Sequence, residues 1–228
     1  MYSERLQSAV LFDLDGTLTD PKPGITGCIS YALEKLGHPS LPPDDLVWCI
    51  GPPLAMSFPT LLGSDDPELV TRAIGHYRER FTDIGLYENE VYDGVPEMLA
   101  TLQEGGYRLF VATSKPLPYA VRILDHFGLG HHFEAVFGSG FDGSLSDKGD
   151  LLAHALRKSD LDPAHAIMVG DRMHDVSGAR RAGLDCLGVL YGYGGESELR
   201  EAGAVALCAA PADVTRRVTS RRSSRFPG

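Results

Sequence analysis

Asp13 and Asp15 stand two residues apart at the end of a short apolar run, Ala9-Val10-Leu11-Phe12, and Gly16 closes the turn after them. Burying two carboxylates in such a place is costly unless positive charge lies between them. A second pair, Asp171 and Asp175, follows another apolar segment, Ile167-Met168-Val169-Gly170. Between the two pairs come Thr113, Ser114 and Lys115 after a strand-like stretch, and Lys148 at the head of a helix-like one. Clustered carboxylates of this number suit a hard cation with oxygen ligands. Mg2+ fits best, because it takes one or two carboxylates together with waters and a substrate phosphate.

For these groups to meet, the elements carrying them must converge. After Tyr92 the chain alternates strand-like and helix-like segments: strands at Tyr107 to Ala112, Glu134 to Phe137, Ala166 to Val169 and Cys186 to Leu190, with helices near 118–127, 148–156 and 175–182. Such alternation predicts a parallel sheet with helices on both faces, an α/β Rossmann-like core. In sheets of that kind ligands gather beyond the carboxyl ends of the strands, which is where all four polar groups fall.

Residues 20–92 break the rhythm. Ile25, Ile29, Ala32, Leu33 and Leu36 keep helical spacing, as do Leu69, Val70, Ala73, Ile74, Tyr77 and Phe81. Asp66-Pro67 supplies a cap and first turn for the second helix. The reading is a helical insert at 20–92, flanked by a core made of 1–19 and 93–215. The last residues, 216–228, crowd Arg216, Arg217, Arg221, Arg222 and Arg225 with Ser223-Ser224, and read as a basic, frayed tail.

The chain has 228 residues and a formal net charge of −10, which argues against a long nucleic-acid footprint. Its four cysteines, Cys28, Cys49, Cys186 and Cys208, form no CxxC pair, so reduced thiols in a cytoplasmic protein are expected rather than a disulfide framework. The sequence carries neither a leader-like start nor a membrane-length apolar run.

The string Phe12-Asp13-Leu14-Asp15-Gly16-Thr17-Leu18-Thr19-Asp20 resembles the first signature of the haloacid dehalogenase superfamily, in its phosphatase branch. Val111-Ala112-Thr113-Ser114-Lys115-Pro116 is similar to the second, Lys148 to the lysine of the third, and Gly170-Asp171-Arg172-Met173-His174-Asp175 to the fourth, in the family's order. The resemblance implies that Asp13 is a nucleophile forming an acyl phosphate and that Asp15 is the general acid and base. It makes Thr113 and Lys148 partners of the transferring phosphoryl group. Mg2+ would be held by Asp13, Asp171 and the backbone carbonyl of Asp15, with Asp175 either a ligand or the orienter of a metal-bound water. Gly16, Thr17, Ser114 and Lys115 are candidate phosphate contacts, Lys115 equally a solvent-facing side chain. The segment Ile50-Gly51-Pro52-Pro53-Leu54 is similar to a substrate loop of phosphoglycolate-phosphatase-like relatives, or else an ordinary interhelical turn, which makes Gly51 and Pro52 substrate candidates. The insert would be a cap hinged at Asp20-Pro21 and Tyr92-Asp93-Gly94.

The expected partner is a small phosphorylated metabolite, handled by a monomer or homodimer. A dehalogenase would not need Asp15, and a phosphonate hydrolase would want a cap lysine near the Gly-Pro-Pro loop. A sugar phosphomutase and a non-catalytic phosphate-binding regulator remain alternatives. Substrate choice is pulled two ways. The family resemblance favours phosphoglycolate, yet residues 20–92 hold eleven acidic side chains against five basic ones, and Trp48 to Phe58 has no cation. That stretch offers Trp48, Ile50, Leu54, Met56 and Phe58, walls that suit a nucleoside monophosphate or another larger ester. The remaining polar features have plain readings: Arg172 as a structural ion pair, His131-His132 as a surface loop, and Gly192, Gly194 and Gly195 as a turn short of a dinucleotide motif.

Overall fold

In the computed structural model, which describes residues 8–225, the chain divides into two compact units. Residues up to Leu18 and from Tyr92 onward form one, and Thr19–Val91 form the other.

The first unit begins with β1 (Ala9–Phe12), buried at every position, as a strand covered on both faces must be. It resumes with α4 (Val95–Glu104), after the second unit has contributed β2 (Thr19–Asp20), α1 (Lys22–Lys35), α2 (Leu54–Leu62), α3 (Pro67–Arg80) and β3 (Glu90–Val91). There follow β4 (Arg108–Pro116), α5 (Leu117–His126), β5 (Ala135–Ser139), α6 (Lys148–Lys158), β6 (Ala166–Gly170), α7 (Met173–Arg181), β7 (Asp185–Val189), α8 (Glu196–Ala202), β8 (Ala206–Cys208) and α9 (Pro211–Arg225). The sheet order is β5-β4-β1-β6-β7-β8, with every pairing parallel. The chain moves outward from β4 to β5 and then crosses back to β6, so the strand order reverses on either side of β1. Phe12 pairs with Val111 on one flank and Val169 on the other, which brings Asp13, Thr113 and Asp171 to the crevice outside that switch point. Leu11, Phe110 and Met168 pack with Leu151, Leu152, Ala155, Val176 and Ala179 of α6 and α7, anchoring the helices that carry Lys148 and Asp175.

Residues 216–225 are not frayed. Thr215 to Arg225 continue α9, where Val214 and Val218, four residues apart, are buried, and Arg221 pairs with Asp185 of β7. One apolar stripe on an otherwise polar helix is enough to dock it. Residues 226–228 of the expected tail lie outside the described residues.

In the second unit, Ile25, Ile29, Ala32 and Leu33 of α1 and Ala73 and Tyr77 of α3 are buried, and Asp66 caps α3 by accepting the Glu68 N–H at 3.1 Å. The short β2–β3 pairing, Thr19 with Val91 and Asp20 with Glu90, was not expected in a helical insert. The Trp48-to-Phe58 stretch is not one continuous loop either. Leu54 opens α2, and Ile50 and Phe58 are wholly buried. Trp48 (38% exposed) and Met56 (60%) remain open to solvent. All four cysteines are buried and none forms a disulfide. Among the described residues no helix is long and apolar enough to cross a membrane.

Candidate active site

β1 delivers Asp13 directly, its N–H bonded to the Val169 carbonyl at 2.9 Å. Asp171 follows β6, and Asp175 sits in the first turn of α7, its Oδ2 accepting the Arg172 N–H at 3.1 Å. Carboxylate oxygens of Asp13, Asp171 and Asp175 lie within 4.8 Å of one another, and all three residues are buried. Lys148 reaches them from the start of α6. Its Nζ donates to Asp13 Oδ1 at 2.9 Å and to the Ala112 carbonyl at 2.8 Å, and lies 2.8 Å from Asp175 Oδ1 without hydrogen-bond alignment. Asp147 fixes that helix start by accepting the Asp150 N–H, and Arg181 pairs with Asp147.

Charge is unevenly matched. Burial opposes the positive charge on Lys148, but Asp13 and Asp175 outweigh it and raise its pKa. Burial pushes Asp171 well above the usual carboxylate range, with Asp175 and Asp13 adding to the effect. Burial likewise pushes Asp175 up to about 6, helped by Asp13 and opposed by Lys148. The Oδ1 atoms of Asp15, Asp171 and Asp175 are buried without a hydrogen-bond partner. Three oxygen donors in a buried acidic cluster, with Asp171 Oδ1 left without any partner, fit a hard divalent cation such as Mg2+.

Asp15 stands outside the carboxylate cluster. Its Oδ2 lies 2.9 Å from Lys115 Nζ, and both side chains are buried. Lys115 is therefore not solvent-facing. The register of β4 against β5 shifts between Thr113 and Pro116, an irregularity of the sort that re-aims side chains near active sites. Burial raises the Asp15 pKa; Lys115 pulls it down and Asp13 pushes it further up.

The remaining candidates separate. Thr113 is buried and its Oγ1 accepts the Lys115 N–H at 3.2 Å. Ser114 Oγ donates instead to the Ser146 carbonyl at 3.4 Å. Gly16 has φ +82°, and a side chain there would collide with the Asp171 carboxylate. Thr17 is wholly buried with an unpartnered hydroxyl. Gly51 and Pro52 belong to the second unit, between Cys49 and α2. Arg172 pairs with Glu198 at 2.9 Å, as expected of a structural ion pair. Sequence reasoning missed the backbone N–H of Tyr193, which donates to Asp171 Oδ2 at 2.7 Å; its only trace in the sequence is the glycine on either side.

Residues 10–189 match the model of the haloacid dehalogenase-like hydrolases. The chain belongs to that family, on its phosphatase side. It is 48% identical over 191 residues to a 5'-nucleotidase of Pseudomonas aeruginosa, covering 84% of this chain and 86% of that one. It is 44% identical to the tyrosine-protein kinase PtkA of Mycobacterium tuberculosis, covering 81% of this chain but 62% of that protein. A phosphoglycolate phosphatase of Cupriavidus necator is 34% identical, with 88% of each chain covered. The crystal structure of a predicted phosphatase from Clostridium acetobutylicum superposes with a TM-score of 0.91 at 40% identity, covering 94% of this chain and 99% of that one. The enzyme is a phosphoric monoester hydrolase of the phosphoglycolate-phosphatase-like kind.

Proposed function

We propose that the protein is a Mg2+-dependent phosphatase of small-metabolite phosphate monoesters, working through an aspartyl phosphate on Asp13. The carrying observation is Asp13 itself, held by Lys148 at 2.9 Å in a buried group with Asp171 and Asp175 at the switch point of the sheet. A carboxylate oxygen of Asp13 attacks phosphorus and the ester P–O bond breaks. Asp15, whose pKa burial raises, serves in its protonated form as the acid that gives its proton to the departing alkoxide. It then takes a proton from the water that cleaves the acyl phosphate, which frees phosphate and restores the Asp13 carboxylate. Lys148 offsets charge on the nucleophile and the transferring group, and Thr113 offers a hydroxyl to a phosphoryl oxygen. Bound Mg2+, held by Asp13, Asp171, Asp175 and the Asp15 carbonyl, would neutralise charge between nucleophile and phosphate.

Two substrate classes compete. Phosphoglycolate follows from the family branch. Nucleoside monophosphates are favoured by the 48% identity to a protein named 5'-nucleotidase and by the exposed indole of Trp48, a surface on which a base can stack. Ile50 and Phe58 are wholly buried, so Trp48, 38% exposed, carries most of that second argument. Phosphate release should require divalent cation and stop in excess chelator; undiminished turnover there removes Mg2+ from the mechanism. Comparing kcat/KM for phosphoglycolate and a panel of nucleoside monophosphates separates the classes. A hundredfold preference, about 2.7 kcal/mol in transition-state binding, decides in favour of whichever shows it.

A further inference from the structure

The turn after β7 touches the site through its main chain. Tyr193 N–H donates to Asp171 Oδ2 at 2.7 Å, while Asp171 Oδ1 is buried and has no hydrogen-bond partner. The glycines on either side make that approach possible. A methyl on Gly192 would run into the Gly16 carbonyl oxygen and the Asp171 side chain, and one on Gly194 into the Asp171 carbonyl oxygen. Gly195, the next residue, has open space around its would-be Cβ and φ −77°, which any residue adopts. The close packing is thus confined to the two glycines that flank the donor.

We propose that Gly192-Tyr193-Gly194 is a positioning clamp for the metal ligand Asp171. Its one backbone N–H occupies Oδ2, fixes the carboxylate plane and leaves Oδ1 as the oxygen presented to the cation. The inference rests on the reading of Asp171 as a Mg2+ ligand. Groups that orient a ligand from behind change metal affinity by roughly 10–100-fold when removed. The clamp therefore acts on the metal affinity and leaves the chemistry of Asp13 and Asp15 intact.

The test is calorimetric titration of the metal-free protein with MgCl2, alongside kcat measured at saturating Mg2+. Gly192→Ala and Gly194→Ala should each weaken Mg2+ binding at least tenfold, with kcat recovering at high Mg2+, while Gly195→Ala binds Mg2+ as the unmodified protein does. Since a glycine variant can fail to fold, a second form replaces Tyr193 by its α-hydroxy analogue, deleting the N–H and keeping the ring. It should show the same affinity loss and the same recovery of kcat. The clamp is overturned if the ester form and the glycine variants bind Mg2+ like Gly195→Ala while Asp171→Ala loses binding. It is overturned too, now together with the metal-ligand reading, if Asp171→Ala binds Mg2+ undiminished.

Discussion

Lys115 Nζ and Asp15 Oδ2 lie 2.9 Å apart, two opposite charges facing each other in a buried setting beside the Asp13 cluster. Burial raises the Asp15 pKa and Lys115 restrains the rise. Lys115→Met removes the restraint, so Asp15 should hold its proton to higher pH. Because the protonated form is the acid that serves the leaving group, the alkaline limb of the kcat/KM profile should move upward. An unmoved limb would show that this pair does not set the pH range.

Asp13→Asn should abolish turnover with the fold retained, since an amide is a poor nucleophile. Asp15→Asn should slow the reaction by roughly 10²–10⁴-fold, the usual worth of a general acid–base. Steady-state rates with circular dichroism as the folding control measure both. Near-normal activity in Asp13→Asn would end the covalent mechanism.

Asp171→Ala should weaken Mg2+ binding more than Asp175→Ala. Asp175 already serves Lys148 and the Arg172 N–H, whereas Asp171 Oδ1 has no hydrogen-bond partner. Metal titration of the two variants ranks them, and equal losses would give both carboxylates the same share of the ion.

Mg2+ affinity should rise with pH between about 5 and 7. Protons compete for the carboxylates, and burial puts Asp175 at about 6 and Asp171 well above the ordinary range. For Asp175 in the metal-free protein the sign is fixed. Its folded pKa exceeds the free value of about 3.9, so the folded state binds the proton more tightly and this group subtracts stability as pH climbs from about 4 to about 6. The melting-temperature gain on adding MgCl2 should accordingly be larger at pH 7 than at pH 5, and a pH-independent gain would contradict it.

Val218→Ala should destabilise the first unit by about 2 kcal/mol, the scale for removing two buried methyl groups. Val218 is buried in α9 and its carbonyl accepts from Tyr107 Oη at 3.4 Å. Denaturant midpoints supply the measurement; a change within 0.5 kcal/mol, the range of surface substitutions, would mean that α9 is not docked.

The central strands were legible because burial on both faces leaves an unbroken apolar run, as in Val10-Leu11-Phe12 and Ile167-Met168-Val169. The carboxylates were legible because each sits where such a run stops. The end of the chain was misread, since two valines four residues apart are a faint signal among five arginines. Ile50 and Phe58 show how little the sequence says here, because an apolar residue in a turn-rich stretch reads the same whether it is exposed or, as both of these are, wholly buried. Neither the Lys115–Asp15 pair nor the Tyr193 N–H had a sequence pattern to betray it: one depends on a strand irregularity, the other on main-chain atoms.

The position of β1 has a consequence for biosynthesis. Its four residues leave the ribosome first among the strands, yet Val10 pairs with Leu109 on one side and Ile167 on the other. Until those partners are made, a wholly apolar strand has two open edges, the condition under which nascent chains aggregate or engage chaperones. The Thr19–Val91 unit, compact within its own stretch of chain, can assemble early. The catalytic unit cannot close its sheet around β1 until β6 has emerged, so translation of more than two-thirds of the chain precedes the first appearance of a complete carboxylate cluster.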